Sequence, residues 1–249
     1  MNIHIFDLDW TLCEELWVLS DNMINNLIEL SKKDKIYINT WRSVQSFKKA
    51  VKNNTFLLDN LTLITENWSK CGKRIYNFNK NEVQEIINFL EKNLKKIKYF
   101  DFWVGDKLYT YSLSRIIDED ENRIYYDNFL DIKDCIYNNL HSISMFYIVF
   151  YEYLQYTFKE VCWVFWDCDL TLTRRGINKA KILESLKSYS RIFVYWNWVN
   201  DLSLFYNKKR RKFNIWVWNN QEILQLSDVK LKSYVELEEY LMSKVFMDL

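Results

Sequence analysis

Asp7 and Asp9, in the stretch IHIFDLDWTL, leave the end of an apolar run two positions apart. In extended chain a two-residue step returns the side chain to the same side, so both carboxylates face one reactant. One can attack while the other handles protons. Three further clusters carry compatible chemistry. Thr40 and Arg42, in INTWRS, offer a hydroxyl and a planar guanidinium that suit phosphate oxygens. Lys179, in RRGINKAKIL, falls at a predicted helix N-terminus, where its ammonium would add to the positive end of the helix. Asn197, Asn200 and Asp201, in VYWNWVNDLSLF, supply the oxygen donors that Mg²⁺ prefers.

Such residues need a scaffold that converges them. Ile3–Phe6 reads as a buried strand, and Asp21 as the cap of a helix with Ile24, Leu27, Ile28 and Leu30 at helical spacing. Strand and helix alternate again at Ile36–Asn39 and Val44–Val51, with a third strand at Thr62–Thr65. This alternation predicts an α/β fold, a Rossmann-like parallel sheet with covered faces. Between Ile75 and Val161 the texture changes. A long amphipathic helix (Val83, Ile86, Ile87, Leu90, Leu94) precedes the aromatic strands KLYTYSLSRI and RIYY, which reads as an inserted α+β domain. Alternation returns with helix Lys179–Leu186, strand Arg191–Tyr195, a short helix after Asn200, strand Phe213–Val217, a helix near Gln221–Leu226 and a closing helix Val235–Phe246. The expected domains are a core of residues 1–74 and 162–249 and an insert of residues 75–161. All four polar clusters follow presumptive strand ends, where open α/β sheets bind ligands.

Composition narrows the partners. The 249 residues are 49% hydrophobic with a formal net charge of +1, so there is no basic excess to attract nucleic acid or an anionic membrane. The apolar run MFYIVFYEYLQY is too short to span a bilayer and contains Glu152. The chain begins directly on a strand pattern rather than a leader. Five cysteines without a CxxC pair indicate neither a disulfide framework nor a zinc ribbon. These features suggest a cytoplasmic protein, a monomer or weak homodimer, acting on a small molecule.

The ordered set DxDxT, T-x-R, an insert, a helix-starting lysine and N-x-x-ND resembles the haloacid dehalogenase superfamily of Mg²⁺-dependent phosphatases. More narrowly it is similar to the Cof-type sugar-phosphate phosphatases, whose class IIB cap is inserted between the second and third motifs. ITENWSK and NIWVWNNQEILQLSDVKL match two accessory stretches of that family. The resemblance implies hydrolysis of a phosphorylated metabolite, a sugar phosphate, through an aspartyl-phosphate intermediate. It implies Asp7 as nucleophile, Asp9 as general acid and then base, Thr11 as a support of that loop, and Thr40 and Lys179 as neutralisers of the phosphoryl oxygens. Mg²⁺ would be held by Asp7, the backbone carbonyl of Asp9, and Asn197 or Asp201. Arg42, Asn67 and Asn200 fall among the substrate contacts, with Lys107 and Tyr109 as candidates from the cap. The family usually has aspartate where Asn197 stands, and Ala180 replaces a glycine. A phosphosugar mutase of the same superfamily, or a catalytically silent phosphate-binding homologue, are the alternatives.

Two features compete with this reading. Asp167, Asp169 and Thr171, in VFWDCDLTLT, also spell DxDxT, but no T-x-R follows and the expected role is the strand re-entering the core. The second feature is tryptophan. Glycine numbers 3 and tryptophan 11, where an average chain of this length carries roughly 17 glycines. Trp10, Trp41, Trp68, Trp196, Trp198, Trp216 and Trp218 all fall where the family's motifs have glycine. The expectation is that many of these positions are glycine in the native protein, written as tryptophan because the codon UGA was misread; the alternative is that the tryptophans are real, in a crippled or unusually adapted homologue. His4 and His141 stand alone, and KKRRK (208–212) reads as a solvated loop.

Overall fold

In the computed structural model the described residues are 1–13, 18–66, 69–71, 74–114, 123–186, 191–197, 203–204, 211–217 and 227–247. The chain divides into two compact units, Met1–Gly72 with Lys179–Leu249, and Lys73–Asn178.

The first unit is built on β1 (Ile3–Phe6), whose four residues are all buried, as a strand covered on both faces requires. Its elements in chain order are α1 (Asp21–Ser31), β2 (Lys35–Asn39), α2 (Val44–Ala50), α3 (Thr55–Asn60), β3 (Thr62–Thr65) and β4 (Lys70–Cys71). The two-residue β5 (Arg74–Ile75) follows at the crossing into the insert. After the insert come α6 (Lys181–Ser185), β12 (Ile192–Trp196), β13 (Lys212–Val217), β14 (Val229–Leu231) and α7 (Tyr234–Met247). The sheet order is β14-β13-β12-β1-β2-β3-β4-β5. The first six of these run parallel, and β4 turns antiparallel to β3. Phe6, Met23, Leu27, Ile38, Phe47, Leu57, Ile215 and Leu237 form its apolar core. Ser20 caps α1, its hydroxyl accepting from the Met23 N–H at 2.9 Å, so Asp21 is the first helical residue rather than the cap. His4 is a packed core imidazole, with Nδ1 2.9 Å from the Tyr195 hydroxyl and Nε2 3.2 Å from Asp34 Oδ2. Helix near Gln221–Leu226, and most of the short helix after Asn200, lie outside the described residues.

The second unit is a six-stranded sheet, order β10-β11-β9-β6-β7-β8, with two α-helices among its described residues. Its members are α4 (Lys80–Asn93), β6 (Ile97–Val104), β7 (Lys107–Ser112), β8 (Arg123–Tyr126), α5 (Phe129–Asn138), β9 (Ile143–Phe150), β10 (Val161–Trp166) and β11 (Asp169–Arg174). Pairing is antiparallel except between β7 and β8. Asn79 and Glu82 close a capping box on α4. Val83, Ile86, Ile87 and Leu90 from that helix meet Phe100, Phe102, Phe146 and Ile148 from the sheet.

The insert is larger than its sequence texture indicates. Strand 161–166 does not re-enter the core, but pairs antiparallel with β11. Asp167, at φ 51°, turns the chain in a tight hairpin, whereas a return to the parallel sheet needs a longer crossover. The boundary therefore falls between Asn178 and Lys179 instead of at 161/162. Among the described residues no helix is long and apolar enough to cross a membrane, and all five cysteines are free.

Candidate active site

The carboxyl end of β1 is fixed before its acidic residues begin, because the Asp7 N–H donates to the Tyr195 carbonyl of β12 at 3.0 Å. The chain then folds back tightly. The Leu8 carbonyl accepts from Leu12 N–H at 2.8 Å, and Trp10 N–H donates to the Cys13 carbonyl at 2.8 Å. Trp10 sits at φ 61°, the left-handed region that L-residues with bulky side chains rarely enter. This loop holds both Asp7 and Asp9 buried, each 5% exposed.

Each carboxylate meets a cation from another part of the unit. Lys179 Nζ lies 2.6 Å from Asp7 Oδ1, with both side chains buried. Arg42 grips Asp9 with a fork, Nε donating to Oδ2 at 3.1 Å and a terminal amino group donating to Oδ1. Arg42 was expected to contact phosphate or sugar. Its planar donors match a carboxylate edge equally well, and Asp9 takes them here. Thr40 is buried beside it, its hydroxyl accepting from the Arg42 N–H at 3.1 Å. Asn197, just past β12, donates Nδ2 to the Asp9 carbonyl at 2.8 Å. The Thr11 hydroxyl is fully buried and has no hydrogen-bond partner among the described residues.

Lys179 precedes α6, which begins at Lys181 with Ala180 as its cap residue. It thus stands immediately before the N-terminus of that helix, one residue ahead of its cap. Asn39, the last residue of β2, donates Nδ2 to the Lys179 carbonyl at 2.9 Å. Asn39 was not singled out from sequence, although a buried polar residue ending the strand KIYIN was the available signal. A second unanticipated pair, Glu66 and Lys70, is joined at 2.7 Å with both side chains buried. Glu66 N–H donates to the Arg42 carbonyl at 3.3 Å, tying this pair to the same strand-end loops.

Burial pushes the Asp9 carboxyl up to about 6, with Arg42 pulling it down and Asp7 pushing it further up. A carboxyl that keeps its proton at mildly acidic pH can give it to a leaving group. Asp7, paired with an ammonium and two residues away, is a nucleophile candidate of different character. The Cys13 thiol, held up to about 12 chiefly by burial, is inert.

Asp7, Asp9, Thr11, Thr40, Arg42, Lys179 and Asn197 thus share the carboxyl edge of one parallel sheet. Asn67, Asn200 and Asp201 lie outside the described residues. Lys107 and Tyr109 belong to the insert. Lys107 is exposed at the start of β7. The Tyr109 ring stacks on Phe102 at 5.1 Å within the insert's aromatic core, so that face is not offered to a ligand. The competing Asp169 lies in an antiparallel strand and accepts from the Tyr147 hydroxyl at 2.5 Å, a structural contact of the insert's sheet.

Among the described residues no three His, Cys, Asp or Glu side chains cluster as a metal site. The donor chemistry still fits a hard cation, since the Asp7 carboxylate, the Asp9 carbonyl and the Asn197 amide are all oxygen-bearing. The Asn197 amide presents its nitrogen to the Asp9 carbonyl, so it must turn over before its oxygen could join that set.

No protein-family model matches the chain, and no curated protein matches it. Solved structures do. A protein of Eubacterium rectale superposes with a TM-score of 0.74 at 14% identity, over 98% of this chain and 99% of its own. The HAD subclass IIB sugar phosphatase BT4131 gives 0.67 at 15% identity, with both chains covered in full at 100%. BT1666 from Bacteroides thetaiotaomicron, a phosphatase of the haloalkanoate enzyme superfamily, gives 0.68 at 13% identity over 100% and 96%. The chain has the fold of these phosphatases, parallel-sheet core and insert together, as the motif order led one to expect.

Proposed function

We propose that the protein is a phosphatase that hydrolyses a small phosphate ester, a sugar phosphate, through a phosphoryl group carried on Asp7. The observation that carries this reading is the buried Asp7–Lys179 pair at the carboxyl end of β1, with the Arg42-held Asp9 two residues beyond. The fold shared with sugar phosphatase BT4131 supports the substrate class.

In this reading an Asp7 oxygen attacks phosphorus and the P–O bond to the alcohol breaks. Asp9 gives its proton to the departing oxygen, which leaves as the alcohol. Asp9, now a carboxylate, takes a proton from water, whose oxygen attacks the same phosphorus and returns Asp7 and inorganic phosphate. Lys179 and the Thr40 hydroxyl balance the charge on the phosphoryl oxygens, and Arg42 keeps the Asp9 carboxyl turned toward the leaving group. Asp7, the Asp9 carbonyl, and Asn197 or Asp201 would hold Mg²⁺. When bound, the ion offsets the negative charge of nucleophile and phosphate, which otherwise repel.

The test is release of inorganic phosphate from an aryl phosphate and a panel of sugar phosphates, with and without Mg²⁺ and with Asp7→Asn as the blank. It is run on the chain as written and on a counterpart with glycine at the seven motif tryptophans. Mg²⁺-dependent release lost in Asp7→Asn supports the reading, and no release by either chain refutes it. A phosphoryl group that stays on the sugar in a new position identifies the mutase instead.

A further inference from the structure

Four tryptophans stand at the carboxyl ends of four strands that are neighbours in the sheet. Trp196 ends β12, Trp216 is the last residue but one of β13, Trp10 follows β1, and Trp41 follows β2. Three of them adjoin the residues that carry chemistry. Trp10 follows Asp9, Trp41 separates Thr40 from Arg42, and Trp196 precedes Asn197. Indoles are the bulkiest side chains available, and nothing in strand packing calls for one on each of four successive strands at a ligand-binding edge.

Two of the local settings, those of Trp10 and Trp216, are also poor for tryptophan. Trp10 occupies φ 61°, where a Cβ crowds the following carbonyl and glycine alone is free of that clash. Trp196 and Trp216 face each other in register and pack edge to face, ring centres 4.6 Å apart, both at most 1% exposed. The Trp216 indole N–H has no hydrogen-bond partner among the described residues, although a buried tryptophan normally finds one. Trp103 and Trp163, in the insert, behave differently. Trp103 packs with Leu108, Met145 and Tyr147, and Trp163 meets Phe165 edge on at 5.7 Å, as aromatic residues of an aromatic sheet do. Glycine numbers only 3 in 249 residues, and reading these four tryptophans as glycine moves that count to 7, toward the roughly 17 that average usage gives.

We infer that residues 10, 41, 196 and 216 are glycine in the native protein, encoded by UGA codons that its own cells read as glycine. Glycine relieves the Trp10 backbone and clears a strip of bare main chain along β13, β12, β1 and β2. That strip lets a tetrahedral oxyanion approach the backbone beside Asp7 and Lys179. This last consequence rests on the phosphatase reading; the identity of the four residues does not.

The deciding experiment is peptide mass spectrometry on the protein purified from the cells that carry its gene, together with the codons at the four positions. Glycine masses and UGA codons are expected. Tryptophan masses, or UGG codons, overturn the inference. A second arm compares recombinant chains carrying tryptophan or glycine at the four positions, by phosphate release and by titration with inorganic phosphate. The glycine chain should turn over on the order of a hundredfold faster, the scale set by access of substrate to a correctly placed nucleophile. Should the peptides read glycine while the glycine chain neither binds phosphate nor releases it, the phosphatase reading falls and the residue identities stand.

Discussion

Replacing Lys179 with methionine isolates the interaction on which the candidate site turns. Nζ of Lys179 lies 2.6 Å from Asp7 Oδ1, and the two side chains are 1% and 5% exposed, so water cannot take over either charge. Removing one partner of such a pair costs about 3–5 kcal/mol, because the survivor is left charged and unpaired. At about 2–4 °C per kcal/mol for a chain of this size, the unfolding midpoint of Lys179→Met should fall by roughly 6–20 °C. Asp7→Asn should also destabilise, since it strands the ammonium. The double variant Asp7→Asn/Lys179→Met has no charge left to strand, so its loss should be smaller than the sum of the single losses by at least about 1 kcal/mol. Thermal and urea unfolding of the four proteins measures this directly, with no dependence on any substrate. Additivity within about 0.5 kcal/mol, or a Lys179→Met midpoint unmoved by more than about 2 °C, would refute the reasoning.

Asp9 carries a pH signature. Its carboxyl is raised from 3.8 to about 6 by burial, with Arg42 opposing and Asp7 adding, so the folded state favours the protonated form. That contribution is fully present below about pH 4 and is lost as pH rises through about 6, an amount of about 3 kcal/mol at 1.36 per pKa unit. The stability difference between the protein and Asp9→Asn should therefore shrink by about that much from pH 4 to 7; a flat difference in urea titrations contradicts the assignment. Arg42→Lys keeps the charge but loses the fork on Asp9, and kcat of the active chain should drop on the order of 10–100-fold through misplacement of the acid. Unchanged steady-state kinetics would remove Arg42 from the positioning role. In the insert, Asn79→Ala deletes the side chain that accepts from Asn81 and Glu82, which should cost about 1 kcal/mol by chemical denaturation. A cost indistinguishable from zero would mean that the capping box contributes nothing.

The parts of the site that sequence made legible were those written in short, local patterns. Asp7 and Asp9 follow a run of four buried strand residues, and the two-residue step alone predicts a shared side. Alternating strands and helices announced the parallel sheet, because short, mostly apolar runs such as Ile3–Phe6 alternate with segments that are apolar along one face only. What remained hidden depended on contacts distant in sequence. Arg42 was expected on phosphate because a guanidinium fork reads phosphate and carboxylate alike, and only the fold places Asp9, 33 residues away, within its reach. Asn39 carries no such signal, because its partner is a main-chain carbonyl 140 residues away, which has no residue-type signature. Strand 161–166 was assigned to the wrong sheet because an aromatic strand looks the same in either. The difference lies in the turn at Asp167, whose positive φ lets a non-glycine residue close a hairpin.

The boundary between Asn178 and Lys179 places the candidate ammonium on the first residue of the core after the chain returns from the insert. Lys179 is anchored there by its carbonyl to Asn39 and by its Nζ to Asp7. The returning strand of chain is thus moored to β2 through the main chain and to the end of β1 through the side chain. The residue that resumes the core after the insert is thus also the one that balances the charge of Asp7, so chain connectivity and site charge meet at a single position.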